Sequence, residues 1–263
     1  MEQRDLYVDN RIMHRIKYNR DSYSECIYCG QKADSREHVP SRVFIQKPYP
    51  ENLSIVPSCS KCNNGYSLDE IFLYLCIEKL KKCYYPDYEF CDETISRLKK
   101  YKNIADEVDS LIKNLENQGL LSINPYTLTD ARINNVFEKL ALGHAVYELS
   151  VGYKSDSWSG KCNSIYYKFL PNLSADEIEE IDSCFILDNE LLPEIGSRIY
   201  DKIYIIKATL EEGREFSLCL LDWVDIQDKA YRYTCYVFGS TIIVKIVISE
   251  FLYAVITFEE NFT

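Results

Sequence analysis

The chain lacks any long apolar run and contains little glycine, proline or histidine. No stretch of about 18 consecutive apolar residues occurs, so a membrane-spanning helix is not expected. Residues 1–20 are charged throughout and lack the apolar segment of a secretory signal. Nine glycines and eight prolines in 263 residues, without repeats or low-complexity segments, exclude a fibrous or disordered chain. We therefore expect a globular, cytoplasmic protein of one or two domains with no membrane partner.

Positive charge is also scarce. The chain has 30 Lys and Arg against 41 Asp and Glu, a net charge of −11, which opposes the approach of a polyanion. Residues 1–66 differ, because they hold ten Lys or Arg against eight Asp or Glu. The segment before the first cysteine is locally basic, and it is either a solvated helix face or an arm that contacts phosphate groups. Its basic residues are Arg11, Arg15, Lys17 and Arg20.

Cysteine, in contrast, is abundant, with eleven residues. Disulfides are not expected in a reducing cytosol. Seven cysteines stand alone, mostly among apolar residues, and we expect them to be small buried core residues. These seven are Cys76, Cys83, Cys91, Cys162, Cys184, Cys219 and Cys235.

The other four cysteines form two C-x₂-C pairs, Cys26-Ile-Tyr-Cys29 and Cys59-Ser-Lys-Cys62. A gap of two residues lets both thiolates of a pair face one ion, and two pairs complete a tetrahedral sulfur site. Four unrelated buried cysteines would require two coincidences of spacing, and neither pair lies in a thioredoxin-like βαβ context. The spacing therefore predicts a structural Zn²⁺, which has no open position for catalysis.

Polar residues of another kind lie between and after the pairs. Glu37-His38-Val39-Pro40 lies between them, and His38 is one of only three histidines. Asn63 and Asn64 follow the last cysteine. Folding the second pair onto the first brings Asn63 back toward Glu37 and His38. Carboxylate and amide oxygens are ligands that suit Mg²⁺ or Mn²⁺.

As a set, these motifs resemble the HNH endonucleases of the His-Me finger (ββα-metal) superfamily, especially members with a Cys₄ zinc frame. The pattern here reads CIYC, REHVP, ENLSIVPSC and CSKCNN, and CNNGYSLDE is similar to a stretch of many bacterial HNH proteins. The resemblance covers about residues 22–75. It implies a zinc-stapled ββα-metal (treble-clef-like) module and a metal-dependent endonuclease that hydrolyses DNA phosphodiester bonds.

The resemblance also implies roles for single residues. His38 is the general base that takes a proton from water, which its ordinary pKa range allows. Glu37 and Asn63 bind one catalytic divalent cation, Mg²⁺ or Mn²⁺. Asn52 holds the loop so that His38 is oriented.

Three features of the match are less regular. Asp69 or Glu70 could add a further carboxylate, but a capping box that begins at Ser67 explains Glu70 equally well. In HNH endonucleases the position of Asn63 is commonly occupied by His, and the position of Glu37 is commonly occupied by Asp. Both residues present here, Asn63 and Glu37, offer an oxygen ligand.

The remainder of the chain predicts an α+β fold with three regions. Residues 1–75 form the HNH module with its Cys₄ zinc. Residues 76–151 form a helical region that packs on the module, because apolar residues recur at helical spacing in ARINNVFEKLALGHAVYEL. Residues 152–263 form a mixed, mainly antiparallel β domain of unknown role. Its strands are KIYIIKATL, EFSLCLL, RYTCYVF, TIIVKIVI and YAVITF.

Other candidate side chains carry weaker signals. We expect His14 to face solvent and His144 to pack in the core. Trp223, Arg232 and Tyr233 could stack on bases and contact phosphate groups. Packing within the β domain is the simpler interpretation of these three residues.

Two classes of function follow from these observations. The first is an HNH endonuclease that acts on DNA, for example as the nuclease component of a phage-defence or restriction system. The second is a non-catalytic zinc module with a degenerate HNH site, which serves nucleic-acid binding or assembly. The acidic later regions suggest a protein partner, either a nucleotide-hydrolysing subunit of such a system or a second copy of this chain.

Overall fold

The computed structural model describes residues 24–51, 53–121, 130–149, 158–187, 197–210 and 213–260. Several residues singled out above lie outside the described residues. They are Arg11, His14, Arg15, Lys17, Arg20 and Asn52.

The N-terminal unit is a hairpin followed by a short helix. Strand β1 (Ser35–Val39) pairs antiparallel with β2 (Ser54–Ser58), and a 3₁₀ helix (Arg42–Phe44) lies in the connection. Helix α1 (Ser60–Gly65) follows β2 directly. Cys59 caps this helix, because its Sγ accepts a hydrogen bond from the Cys62 backbone N–H at 3.4 Å.

Four longer helices follow: α2 (Ser67–Tyr84), α3 (Asp92–Lys100), α4 (Lys102–Asn117) and α5 (Ala131–Leu149). The bounds of α5 confirm the helix predicted from its apolar spacing. The capping box predicted at Ser67 is wrong. The Ser67 hydroxyl donates to the Asn64 carbonyl at 2.8 Å, and no side chain caps α2. Glu70 is buried instead, where it contacts other charged groups.

Two antiparallel sheets form the remainder. The five-stranded sheet has the order β3 (Trp158–Phe169), β10 (Leu252–Glu260), β9 (Thr241–Ile248), β8 (Tyr231–Phe238), β7 (Val224–Gln227). The three-stranded sheet has the order β4 (Phe185–Leu187), β6 (Glu215–Leu221), β5 (Ile203–Thr209). Helix α6 (Ala175–Asp182) and 3₁₀ helices at Leu170–Asn172 and Tyr200–Lys202 connect the strands. The predicted strands are confirmed, whereas β3, β4 and β7 were not predicted.

Helix α5 joins the hairpin to the five-stranded sheet. It contacts β1 and β2 as well as β3, β8, β9 and β10. One hydrophobic core runs through Val39 of β1, Phe72 of α2, Val136 of α5 and Ile246 of β9. Residues of all three predicted regions therefore share a core, and the predicted mixed α+β architecture with antiparallel sheets is confirmed.

The isolated cysteines are less buried than predicted. None of the eleven cysteines, all of which lie among the described residues, forms a disulfide. Of the seven isolated ones, Cys76, Cys219 and Cys235 are buried, and Cys162 is partly buried. Cys83 and Cys91, together with Cys184, are exposed, so the core prediction is wrong for these three. Two of them make polar contacts, the Cys83 thiol with the Lys79 carbonyl and the Cys91 thiol with the Thr94 hydroxyl.

The described helices also bear on membrane insertion. None of them combines the length and apolar character that crossing a bilayer requires.

Candidate metal centre and active site

The two C-x₂-C pairs converge on one point. The Sγ atoms of Cys26, Cys29, Cys59 and Cys62 all lie within 4.8 Å of one another, and those of Cys29 and Cys59 are 3.7 Å apart. A tetrahedral ion with bonds of about 2.3 Å to sulfur separates its ligands by about 3.8 Å. The four sulfur atoms are therefore placed to hold a metal ion.

The environment of Cys59 favours the thiolate that a metal requires. The Cys62 backbone N–H points at the Cys59 sulfur and lowers its pKa to about 7. Burial raises the pKa of the Cys26 thiol. A bound cation would favour the thiolate at both positions, because it compensates the cost of burying negative charge.

Polar contacts tie α1 to the first strand beside this cluster. The Ser60 backbone N–H donates to Asp34 Oδ1 at 2.6 Å, and this bond lowers the pKa of the Asp34 carboxyl. Asn63 Nδ2 donates to Ser35 Oγ at 2.7 Å and to the Arg36 carbonyl at 3.1 Å. The predicted return of Asn63 toward the acid-histidine strand is therefore seen: its side chain reaches the residue that precedes Glu37.

Glu37 and His38 differ in their surroundings because successive residues of a strand face opposite sides. Glu37 is buried and faces the interior with Val39, whereas His38 is partly exposed. Asn63 thus contacts Ser35, which lies on the same face of β1 as Glu37, while the His38 side chain lies on the other face.

The Glu37 carboxylate lies in a buried charged cluster with Ser41, Glu70 and Lys139. Lys139 Nζ is 3.1 Å from Glu37 Oε1 and 3.2 Å from Ser41 Oγ, and it also contacts Glu70 Oε1. The Ser41 hydroxyl lies 2.5 Å from Glu70 Oε1. The three N–H donors of the lysine each have a partner. The structure therefore brings Glu37 and Glu70 together around an ammonium group.

Burial dominates the electrostatics of this cluster. It raises the pKa of Glu37, and the ammonium group of Lys139 opposes that rise. Glu37 Oε2 is buried without a hydrogen-bond partner among the described residues. Burial and the nearby Glu37 and Glu70 carboxylates also raise the pKa of Tyr28 well above its ordinary value.

His38 contacts a cation on the other face of β1. Its Nε2 atom lies 3.0 Å from Nη2 of Arg42. A guanidinium group can only donate, so Nε2 accepts this hydrogen bond. Arg36 and Arg42 are both exposed.

The other predicted site residues are placed elsewhere. Asp69 accepts a hydrogen bond from Asn135 at 3.1 Å, so of the two candidate acids only Glu70 joins Glu37. His144 is fully buried and stacks on Tyr233 with ring centroids 3.7 Å apart, which confirms its core role.

The residues suggested for base stacking are also engaged within the protein. The Arg232 guanidinium lies 4.6 Å from the centre of the Trp223 ring and pairs with Glu250 and Asp182. Trp223 and Tyr233 are buried. The simpler interpretation, packing within the β domain, is the one that the structure supports.

Sequence reasoning missed Ser41, Arg42 and Lys139. Lys139 was detectable in part, since it interrupts a mostly apolar stretch of α5 and proves to be buried. Ser41 and Arg42 follow Pro40 in a segment without periodicity, and nothing in the local pattern marks them.

The chain was also compared with known proteins. It matches no protein-family model, no curated protein and no solved structure.

Proposed function

We propose that this protein is a metal-dependent HNH endonuclease that hydrolyses DNA phosphodiester bonds. One observation carries the proposal: four sulfur atoms converge beside the acid-histidine strand and α1, with the Asn63 amide bonded to the Arg36 carbonyl. This hairpin-helix unit has the order of elements expected of a ββα-metal module. The ion at the cysteines is a structural Zn²⁺, because a closed Cys₄ set suits zinc.

The chemistry follows from the donors near β1. Glu37 and Asn63 would hold a single Mg²⁺ or Mn²⁺, with Glu70 as a further carboxylate, and Asn52 would orient the loop. When bound, the ion would supply Lewis-acid stabilisation of charge on the phosphate. His38 takes a proton from water, whose oxygen then bonds to phosphorus. The bond from phosphorus to the 3′ oxygen breaks, and that oxygen takes a proton from solvent.

Local charge supports a nucleic-acid substrate despite the net charge of −11. Arg36 lies two residues before His38 and so shares its side of the strand, and Arg42 contacts the His38 ring. Both guanidinium groups are exposed, so they can neutralise phosphate charges.

The test is cleavage of supercoiled plasmid by the zinc-loaded full chain in Mg²⁺ or Mn²⁺. We expect His38→Ala to slow cleavage by about 10²–10⁴-fold, the usual loss of a general base, while zinc content and circular dichroism stay unchanged. The matched control is His14→Ala, which removes another histidine and should cleave normally. Equal cleavage by His38→Ala and wild type would contradict the assignment.

A second candidate is a non-catalytic zinc module that binds nucleic acid or supports assembly. The contact between Lys139 and Glu37 favours it, because an ammonium group already balances the carboxylate charge that a divalent cation needs. Retained DNA binding without cleavage in Mg²⁺, Mn²⁺, Ca²⁺ or Co²⁺ would support this candidate over the nuclease.

The biological setting is also a proposal. The acidic regions after residue 66 restrain the nuclease or bind it to a nucleotide-hydrolysing subunit of a phage-defence or restriction system. Self-association is the alternative. Full and unregulated cleavage by the purified chain alone would count against a restraining role.

A further inference from the structure

The contact between Arg42 and His38 has a chemical consequence beyond orientation. Because a guanidinium group stays protonated and only donates, the lone pair of His38 Nε2 is engaged at 3.0 Å. A neutral imidazole has one N–H, which must then be on Nδ1. In this arrangement Nε2 cannot accept a proton from water.

The turn that carries Arg42 is firmly held, although its guanidinium group is exposed. Phe44 and Ile45 are buried beside it, and the Val43 carbonyl accepts a hydrogen bond from Arg97 at 2.9 Å. The Arg42 guanidinium also lies 5.1 Å from the centre of the Tyr49 ring. Its backbone is therefore fixed close to His38, while its long side chain can turn toward an anion in solvent.

We propose that Arg42 is a phosphate-binding and positioning residue that covers the base until a phosphodiester binds. This inference rests on the proposed nuclease function. In the free protein Arg42 fixes the Nδ1–H tautomer of His38 and engages Nε2. A phosphodiester anion is a stronger acceptor for a guanidinium group than a neutral imidazole, because the hydrogen bond is charge-assisted on both sides. The anion draws Arg42 away and frees Nε2 to take the proton from water.

The first test reads the tautomer directly by NMR of the histidine ring nitrogens. Only three histidines are present, so His38→Gln identifies the His38 signals. We expect the wild-type ring to be neutral with its proton on Nδ1, and Arg42→Gln to populate both tautomers. Arg36→Gln is the matched control, since it removes a neighbouring cation and should leave the Nδ1–H form dominant. A wild-type ring protonated on Nε2 would overturn the inference, because Arg42 could not donate to it.

The second test adds diethyl phosphate, a simple phosphodiester, in a buffer without divalent cations. We expect the Nε2 signal of His38 to shift in wild type as Arg42 leaves, and to stay in place in Arg42→Gln. A wild-type signal that does not move while a short DNA duplex binds in the same buffer would also overturn the inference.

The third test separates substrate binding from the chemical step. A charge-assisted hydrogen bond contributes about 1.5–3 kcal/mol, so Arg42→Gln should raise KM roughly 10- to 100-fold. The same change leaves His38 Nε2 free to act as the base. We expect kcat to change less than about twofold. The reason is that Arg42 stabilises the bound substrate and the transition state equally, and removing such an interaction leaves kcat unchanged. A decrease confined to kcat would contradict the role.

These outcomes distinguish the inference from the proposed function. If no variant cleaves DNA but the tautomer and the phosphate response are as expected, the phosphate-binding role stands and the nuclease proposal fails. If wild type cleaves DNA but its His38 carries the proton on Nε2, the nuclease proposal stands and the role of Arg42 fails.

Discussion

At the scale of single residues, Lys139 supplies the positive charge beside two buried carboxylates. Its side chain is 1% exposed and lies between Glu37 and Glu70, which are also buried. Burying two carboxylates without a cation is costly, so the lysine stabilises the fold by compensating their charge. It also stands where a divalent cation would compete for the same oxygen atoms.

We expect Lys139→Met to lower the free energy of unfolding by about 3–5 kcal/mol, because it leaves two buried carboxylates unpaired. Urea unfolding followed by circular dichroism measures the decrease. The matched control is Lys79→Met on α2, whose side chain is also largely buried but whose partner Asp109 is 66% exposed, so the carboxylate left behind stays hydrated. It should cost about 1 kcal/mol. Adding Glu70→Gln to Lys139→Met should recover part of the stability, and equal decreases in the two lysine variants would contradict the expectation.

At the scale of elements, the close approach of α5 to β1 positions the acid-histidine strand. A Cβ atom on Gly143 would lie 2.8 Å from Cγ2 of Val39. Val39 is buried and β-branched, so it has little freedom to move aside. Lys139 lies one turn before Gly143, so one side of α5 supplies both the close approach and the ammonium group at β1.

We expect Gly143→Ala to destabilise the protein by about 1–3 kcal/mol, the usual cost of overpacking. Thermal unfolding of the variant measures this. Gly65→Ala is the control, because no atom lies within 4 Å of the added Cβ and alanine suits a helix better. Combining Gly143→Ala with Val39→Ala should cost less than the sum of the two single changes, since both alter the same packing between α5 and β1. Additive costs would show that this packing is not limiting.

At the scale of the whole molecule, the segment that carries the first cysteine pair and the sheets share one hydrophobic core. Ile27 in the first cysteine pair and Phe258 of β10 are members of the same buried cluster. A continuous core predicts that the parts unfold together rather than one after another.

We expect Cys29→Ser to abolish stoichiometric zinc binding and to lower the midpoint of a single unfolding transition by at least about 5 °C. Elemental analysis gives the zinc content, and calorimetry gives the transition. Cys83→Ser is the matched control, because that cysteine is exposed and does not belong to the four-cysteine cluster. A separate early transition in Cys29→Ser would show that the N-terminal unit unfolds on its own.

The sequence alone was sufficient for two features whose signal is local. The C-x₂-C spacing predicted the four-cysteine cluster, and the apolar repeat predicted α5. It was insufficient for β3, where polar and aromatic residues mix without strict alternation. The prediction from sequence also failed at Ser67 and Glu70. Their spacing is typical of a helix cap, but Glu70 takes part in a buried ion pair instead.

The cysteine spacing and the helical periodicity are properties of neighbouring residues, so the amino-acid sequence by itself determined the four-cysteine cluster and helix α5. Tertiary structure decided which groups face Glu37 and His38. The contact of Ser41 with Lys139 spans 98 residues, and no local pattern encodes a pairing between side chains that meet only when α5 packs on β1. Burial makes that pairing necessary for stability, because charges removed from water must find partners within the protein.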